Sequence, residues 1–215
     1  MSDIPDLSHK KEQTLDPDFL LVAYCNGYFP MATSKMGHIE WFSPDPRAII
    51  PLEGFKISRS LRRTLQQNIF DVRVDTAFEV VMRGCAGREE TWISEEIIKA
   101  YMNLHKRGFA HSVESWYEGR LVGGLYGVVL GGAFFGESMF SLMKEASKIA
   151  LVHLVNIMKR NGFTLLDIQF MTDHLRTFGA VEIPRPTYLH LLSKALKIHT
   201  APFFNSPAGS DPIGL

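Results

Sequence analysis

The chain has 215 residues, 46% of them hydrophobic and 21% charged, which is the composition of a globular protein with a sizeable apolar core. Lys and Arg together number 23, and so do Asp and Glu, so nucleic acid could be bound only through a local basic patch and not through net charge. The two cysteines have no Cys/His ligand spacing near them, which excludes a zinc motif and a disulfide framework.

No segment has the pattern of a secretion signal or a membrane span. The N-terminal residues are polar and mixed in charge, and the longest uncharged run, 121–136, contains six glycines. A spanning helix needs about 20 predominantly apolar residues. We therefore expect a soluble, cytoplasmic protein in which this run forms buried strands and tight turns.

In the first half of the chain, helices alternate with short strands. Residues 1–14 are expected to form a loose arm, and Asp16-Pro17 is a typical start for a helix that ends at Gly27. We assign residues 1–90 to a smaller N-terminal α/β domain. Its further predicted elements are a strand at 48–50, a helix at 59–67 capped by Ser58, a strand at 70–74 and a helix at 76–83.

The second half has a more regular pattern. Ser94 and an acidic first turn predict a helix that ends at Gly108. Three strands joined by glycine turns then form a meander. After it we predict a helix at 144–160, a strand at 164–170, and helices at 173–178 and 187–197. This order predicts an α+β fold in which residues 91–215 form an acetyltransferase-like (GNAT-like) layer.

Two polar side chains interrupt the apolar strand TLLDIQF, residues 164–170. Strand alternation would put Asp167 and Gln169 on one face, away from the large apolar side chains. A carboxylate and an amide so placed can orient an amine, and the carboxylate can accept a proton. The alternative is that Asp167 caps a turn and Gln169 lies at the surface.

Glu137 is the first charge after the uncharged run and lies in the motif GESMFS. A buried carboxylate needs a cation or hydrogen-bond donors, and this one could hold a substrate's ammonium group. The alternative is an ion pair with an internal Arg or Lys. The motif is not the G-x-S-x-G elbow of a serine nucleophile, so we expect Ser141 to cap the following helix.

A basic stripe is predicted on the helix within KISRSLRRTLQQN, residues 56–68. Arg59, Arg62 and Arg63 fall on one helix face, and Lys56 precedes them. Guanidinium groups suit phosphate oxygens through paired, charge-assisted hydrogen bonds. The alternative is an ordinary solvated helix face.

Several stretches, taken in order, resemble the leucyl/phenylalanyl-tRNA–protein transferases; they include YCNGYFPM, WFSPDPR, HSVE, GGLYGV, GESMFS and LLDIQF. The resemblance runs from about Asp16 to Leu192. It implies an aminoacyltransferase that takes its aminoacyl group from Leu-tRNA or Phe-tRNA and passes it to proteins beginning with Lys or Arg, in the N-degron pathway. It implies no metal, ATP or coenzyme, and we expect a monomer.

The resemblance also implies roles for single residues. The catalytic residues would be Asp167, Gln169 and Glu137. The pocket for the donor's amino-acid side chain would comprise Leu125, Phe134, Met139, Leu154 and Leu166. The 3′-adenosine would lie near Tyr24, Met31, Trp92 and Tyr101, and the tRNA phosphates near Lys56, Arg59, Arg62 and Arg63. Two of these positions depart from the family's usual residues, since Met31 replaces an aromatic and Leu125 replaces a methionine.

These roles imply a direct attack on an activated ester. Glu137 and Gln169 would hold the acceptor's amine, and Asp167 would help it lose its proton. Three other functions compete with transfer of leucine or phenylalanine to Lys or Arg. They are an acyl-CoA-dependent N-acetyltransferase, the same leucyl transfer onto a different N-terminus such as an acidic one, and a tRNA-binding module. An acyl-CoA enzyme usually has a glycine-rich pyrophosphate turn, which GESMFSLMKEAS lacks.

Overall fold

The computed structural model describes residues 15–34, 37–88, 91–200 and 203. The predicted arm at 1–14 lies outside the described residues. The helices are α1 (Pro17–Cys25), α2 (Arg59–Gln67), α3 (Phe78–Ala86), α4 (Glu95–Lys106), α5 (Ala146–Arg160), α6 (Asp173–Arg176) and α7 (Arg185–Ala195). The strands are β1 (Phe29–Ala32), β2 (Ile39–Phe42), β3 (Arg47–Ile50), β4 (Asp71–Val74), β5 (Ala110–Tyr117), β6 (Arg120–Leu130), β7 (Ala133–Ser141), β8 (Leu165–Gln169) and β9 (Val181–Ile183).

Seven of these strands form one mixed sheet in the order β4-β5-β6-β7-β8-β3-β9, and β1 pairs with β2 separately. Neighbours in the large sheet are antiparallel except for β7 and β8, which are parallel. Helix α5 connects this parallel pair, because parallel neighbours need a crossover and cannot be joined by a tight turn. The predicted order of elements in the second half, a meander followed by a helical crossover, is confirmed.

The predicted N-terminal caps of α1 and α4 are also confirmed. The Asp16 carboxylate accepts hydrogen bonds from the backbone N–H groups of Asp18 and Phe19 at 2.7 and 3.0 Å. The Ser94 hydroxyl accepts the N–H of Ile97 at 3.3 Å. Such caps satisfy N–H groups that have no partner inside the helix. Ser141 ends β7 and is not adjacent to α5, yet its hydroxyl accepts the N–H of Ser147 in the first turn of that helix at 3.2 Å.

The predicted domain boundary at residue 90 needs correction, because the large sheet crosses it. β3 lies between β8 and β9, and β4 pairs with β5. Both strands precede residue 90, yet each is hydrogen-bonded to strands of the second half. Local patterns predicted both strands but contained no information on their distant partners. Strands β3 and β4 therefore belong to the same sheet as the strands of the second half.

Two hydrophobic clusters cover the two faces of the sheet. One contains buried side chains of α1, α3, α4 and α7, including Tyr24, Tyr101 and Tyr188. The other contains those of α2 and α5, including Leu61 and Leu154. Alternate residues of a strand point to opposite faces, so Phe134 and Phe135 lie in different clusters. No helix of the described residues has both the length and the apolar character to cross a membrane.

Two of the sequence motifs have packing roles that hold the helices on the sheet. In HSVE, the fully buried Glu114 carboxylate accepts the backbone N–H of Ala77 at 2.7 Å and thereby caps α3. In GGLYGV, a Cβ on Gly123 would lie 2.6 Å from the Cβ of Ala146, so only glycine lets the start of α5 approach β6 this closely. Both helices flank the cavity described next.

Candidate active site

A cavity opens where β7 and β8 stop pairing. The two strands are paired over residues 133–135 and 165–167 only. Beyond these residues lies a cavity of about 700 Å³, lined by Glu137 of β7 and Gln169 of β8. Side chains from both hydrophobic clusters also line it, among them Tyr126 and Leu154. The gap between the strands therefore joins the two faces of the sheet at one site.

Glu137 occupies a β-bulge. Tyr126 pairs with Ser138 and Gly127 pairs with Gly136, which leaves Glu137 as the extra residue of β7. A bulge bends its strand and re-aims a side chain. A Cβ on Gly127 would lie 2.2 Å from the carbonyl oxygen of Phe135, so the glycine permits the close approach at this point. The Glu137 carboxylate thus reaches the cavity while the residue is only 8% exposed.

The Glu137 carboxylate is held by neutral donors. Tyr24 Oη and Gln169 Nε2 donate to Oε1 at 2.7 and 2.9 Å, and Tyr101 Oη donates to Oε2 at 3.3 Å. No described Arg or Lys forms an ion pair with it, which excludes the structural ion pair within this part of the chain. Burial raises the pKa of Glu137 to about 7, although the hydrogen bonds from Tyr24 and Gln169 oppose the shift.

Asp167 is bound to a guanidinium group. Arg47 Nε donates to Oδ1 at 2.9 Å and Arg47 Nη2 donates to Oδ2 at 2.6 Å, with both side chains buried. Oδ2 also accepts a hydrogen bond from Tyr188 Oη at 2.7 Å, and Oδ1 accepts one from the backbone N–H of Gln169 at 2.9 Å. The Asp167 oxygens therefore accept four hydrogen bonds inside the protein. Asp167, which was expected to help the amine lose its proton, thus has both carboxylate oxygens occupied by donors of the protein.

Arg47 is itself fixed from several sides. Its guanidinium carbon lies 4.7 and 4.5 Å from the ring centroids of Phe29 and Tyr188, and Nη1 donates to the carbonyl oxygen of Gly27 at 3.1 Å. Burial lowers the pKa of Arg47 and the ion pair with Asp167 raises it, with a net upward direction. The guanidinium therefore stays charged, and the turn after α1, β1 and α7 all contact it.

Gln169 has a backbone conformation that non-glycine residues rarely adopt, with φ at +65°. The Asp167 carboxylate accepts its N–H and so stabilises this turn. The turn places the Gln169 amide at the cavity, and donation of Nε2 to Glu137 fixes which way the amide lies. The Oε1 atom is left as an acceptor. Gln169 is 6% exposed, so the alternative of a surface residue is wrong.

Four of the five residues predicted for the aminoacyl pocket line the cavity: Leu125, Met139, Leu154 and Leu166. Phe134 is not among the lining residues and needs correction. It is fully buried, and its ring stacks on Phe203 with centroids 5.6 Å apart. Phe134 lies in the same hydrophobic cluster as Leu154, but it precedes the gap between β7 and β8 and therefore packs in the core.

The four residues predicted near the adenosine separate into two groups. Met31 and Trp92 line the cavity and are partly exposed. Tyr24 and Tyr101 have no exposed surface, and their hydroxyl groups contact each other as well as Glu137. Stacking on a base requires an open ring face, so we correct the expectation for these two tyrosines: they hold the carboxylate of the site.

The basic stripe lies on the outer face of α2. Leu61 and Leu65 are buried, whereas Lys56, Arg59, Arg62 and Arg63 are exposed. None of these four cations has an ion pair with a described residue. None of them lines the cavity. The stripe is thus a separate surface whose charges are available to a partner.

Sequence patterns missed four residues at the site: Arg47, Tyr188, Tyr126 and Arg88. Arg47 carried a usable signal, since an arginine that starts the apolar strand RAII needs a buried anionic partner. Arg88 is the one Arg or Lys that lines the cavity within the described ranges. Tyr126 also lines it, and its hydroxyl has no hydrogen-bond partner among the described residues.

Two family models match most of the chain. The family model described as leucyl/phenylalanyl-tRNA protein transferase matches residues 49–193, and the model of that family's N-terminal domain matches residues 13–45. Among solved structures, L-PGS from Bacillus licheniformis aligns with this chain over 74% of this chain and 55% of the L-PGS chain. The sequence identity is 18% and the TM-score is 0.40, so the alignment supports no further conclusion.

Curated relatives are much closer in sequence. A protein named leucyl/phenylalanyl-tRNA–protein transferase from Herpetosiphon aurantiacus is 55% identical to this chain; the alignment covers 85% of this chain and 95% of that protein. A protein of the same name from Paramagnetospirillum magneticum is 54% identical, and the alignment covers 85% of this chain and 90% of that protein. The protein of that name from Salinibacter ruber is 52% identical over 86% of this chain and 81% of its own. The chain therefore belongs to the leucyl/phenylalanyl-tRNA–protein transferase family and is an aminoacyltransferase.

Proposed function

We propose that the chain transfers leucine or phenylalanine from charged tRNA to the N-terminal amine of proteins that begin with Lys or Arg, in the cytoplasm, as a mark for N-degron proteolysis. The observation that carries the proposal is the hydrogen bond between Glu137 and Gln169 at the polar end of an apolar cavity. The names of the relatives support leucyl- or phenylalanyl-tRNA as the donor. The negative charge of ionised Glu137 supports a cationic N-terminus as the acceptor.

The apolar part of the cavity suits the donor's side chain. Leu125, Met139, Leu154 and Leu166 offer aliphatic surface without a polar group, which favours leucine or phenylalanine over polar amino acids. Trp92 and Met31 offer flat or flexible apolar surface for the terminal adenosine. Arg88 adds a guanidinium group for the adjoining phosphate.

The polar part of the cavity suits a cationic acceptor. Glu137 carries a negative charge when ionised and has no cation of its own within the described residues. An incoming ammonium group supplies the missing charge, and a pKa of about 7 lets the same carboxylate take the ammonium's proton near neutral pH. An acceptor that presents further negative charge would be repelled. These properties support basic over acidic N-termini.

The reaction then needs one nucleophilic attack. The neutral amine, held by Glu137 and by Oε1 of Gln169, attacks the carbonyl carbon of the aminoacyl ester. The C–N bond forms, the bond to the tRNA's ribose oxygen breaks, and the second amine proton ends on that oxygen. The ester is already activated, so the protein contributes position and charge more than covalent chemistry. Asp167 and Arg47 act by holding Gln169 in its turn.

The fold supports two broader parts of the proposal. The meander β5–β7, the crossover α5 and the parallel strand β8 suit an acetyltransferase-like layer whose site lies at a gap in the sheet. The exposed cations of α2 suit the sugar-phosphate backbone of the tRNA, because phosphate contacts need charge and no sequence readout.

A transfer assay tests the proposal. Purified protein is incubated with radiolabelled Leu-tRNA or Phe-tRNA and with peptides that begin with Lys, Arg, Asp or Ala. We expect label on the Lys and Arg peptides only. Label on the Asp peptide would contradict the acceptor assignment. Acetyl transfer from acetyl-CoA to any of the peptides, without transfer from charged tRNA, would replace the donor by the acyl-CoA alternative.

A further inference from the structure

Among the buried hydroxyl groups of the described residues that line the cavity, that of Tyr126 is unused by the fold. Glu137 accepts three donors, and Gln169 donates both its backbone and side-chain N–H to carboxylates. Tyr126 Oη is buried and has no hydrogen-bond partner within the described part of the chain. A buried hydroxyl without a partner destabilises the folded state, so such a group in a native structure needs an explanation.

The position of Tyr126 points to the substrate as the missing partner. Its ring is clamped edge-on between Phe78 and Tyr101, with centroids 5.9 Å away in each case. The preceding residue, Leu125, lines the apolar pocket, and the residue paired across the sheet, Ser138, follows Glu137. Tyr126 therefore lines the cavity next to both Leu125 and the bulge that carries Glu137, with its side chain in the cluster on the opposite face from Leu125.

We propose that the Tyr126 hydroxyl donates a hydrogen bond to the carbonyl oxygen of the donor's aminoacyl ester and stabilises the negative charge that this oxygen gains when the amine attacks. This inference rests on the proposed function. The C–N bond forms and the ester C–O bond breaks as described above, and the tyrosine keeps its proton throughout. Its contribution is a fixed donor aimed at the developing oxyanion.

The chemistry of the site favours a neutral donor here. Glu137 is an anion when ionised, and an oxyanion close to it would be repelled unless a donor lay between them. Burial and the nearby Glu137 both raise the pKa of Tyr126 well above its usual range, so the hydroxyl stays protonated and keeps a proton to donate. Tyr24 and Tyr101 cannot serve in the same way, since both already donate to Glu137.

The variant Tyr126→Phe removes the hydroxyl and leaves the clamped ring. Removal of one oxyanion donor typically lowers kcat by about 10²–10³-fold. We expect a fall of this size in kcat for Leu transfer to an Arg peptide, with the KM for charged tRNA unchanged within a factor of about three. The Tm should stay equal or rise, because an unpartnered polar group has left the core. Tyr117→Phe, a half-buried tyrosine that does not line the cavity, is the matched control.

Three results would overturn the inference. An unchanged kcat would remove Tyr126 from the reaction. A raised KM with normal kcat would make the hydroxyl a binding group for the ground state and not for the transition state. A fall in Tm together with the fall in kcat would show that the hydroxyl has a partner in the fold. Absence of transfer by the unmodified protein would instead contradict the proposed function itself.

Discussion

Arg47 and Asp167 stand 120 positions apart in the chain and meet in a buried two-pronged ion pair. The pair lies directly behind Gln169, whose backbone N–H the same carboxylate accepts. A charge pair of this kind has no contact with the substrate in the proposed reaction. It fixes the turn that presents the Gln169 amide, and its loss should affect both stability and turnover.

The first prediction is a strong energetic coupling between these two side chains. Removing one partner of a buried ion pair leaves a bare charge and costs about 3–5 kcal/mol of unfolding free energy. We expect Arg47→Met and Asp167→Asn each to cost this amount, and the double variant to cost much less than their sum. Denaturant unfolding of the four proteins measures the coupling. Additive losses would contradict a direct pair.

The second prediction concerns Glu137 and pH. Its folded-state pKa of about 7 exceeds the ordinary value of 4.5, so between these pH values the folded protein binds more protons than the unfolded chain. Stability therefore falls as pH rises through this window, by about 3 kcal/mol in all. Glu137→Gln should abolish that fall. The measurement is the free energy of unfolding from pH 4.5 to 7.5, with Glu53→Gln, an exposed residue, as control. Parallel curves for the wild type and Glu137→Gln would disprove the shift.

The third prediction separates the binding of tRNA from the rate of the chemical step. Replacing Arg59, Arg62 and Arg63 by Ala should weaken charged-tRNA binding and reduce the slope of log K against log salt by roughly two to three. The turnover at saturating tRNA should remain. The matched control replaces three exposed lysines on other helices, Lys99, Lys106 and Lys159. If the control changes the slope as much as the arginine variant, α2 is not the phosphate surface.

The fourth prediction tests the aminoacyl pocket through Met139, which lines the cavity and is only partly buried. Met139→Ala removes apolar contact from the pocket, and a missing methylene contact costs about 1–3 kcal/mol in specificity. We expect kcat/KM for leucine transfer to fall roughly 10–200-fold, and that for the larger phenylalanine to fall less. Met102→Ala, the same change at a partly buried position outside the cavity, should have no effect on either donor. Equal losses for both donors would argue against a pocket at Met139.

Much of the fold could be predicted because its signals are local. Caps such as Asp16 and Ser94 begin helices, and glycine turns divide 110–141 into three strands. The position of β3 in the sheet could not be predicted, since the pattern RAII specifies a buried strand but not its neighbours. Pairing between β3 and β8 depends on the whole chain and has no local signature.

The candidate site was predictable in its residue types and less so in its contacts. Glu137, Asp167 and Gln169 stand out as polar residues in apolar strands. The contacts of their side chains depend on residues far away in the sequence. Arg47 forms an ion pair with Asp167, whereas Tyr24 and Tyr101 donate hydrogen bonds to Glu137. The depth of an aromatic ring is set by tertiary packing, so sequence alone could not distinguish a buried tyrosine from one that stacks on a base.

The insertion of β3 between β8 and β9 has a consequence for biosynthesis. Arg47 leaves the ribosome long before Asp167 has been translated, and β3 has no neighbour in the sheet until β8 and β9 emerge. A nascent chain that ends within α5 already contains Glu137 and part of the apolar pocket, but neither Gln169 nor the counter-ion of Arg47. If the proposed reaction is right, a translation product that ends within α5 is expected to be inactive, because it lacks Gln169.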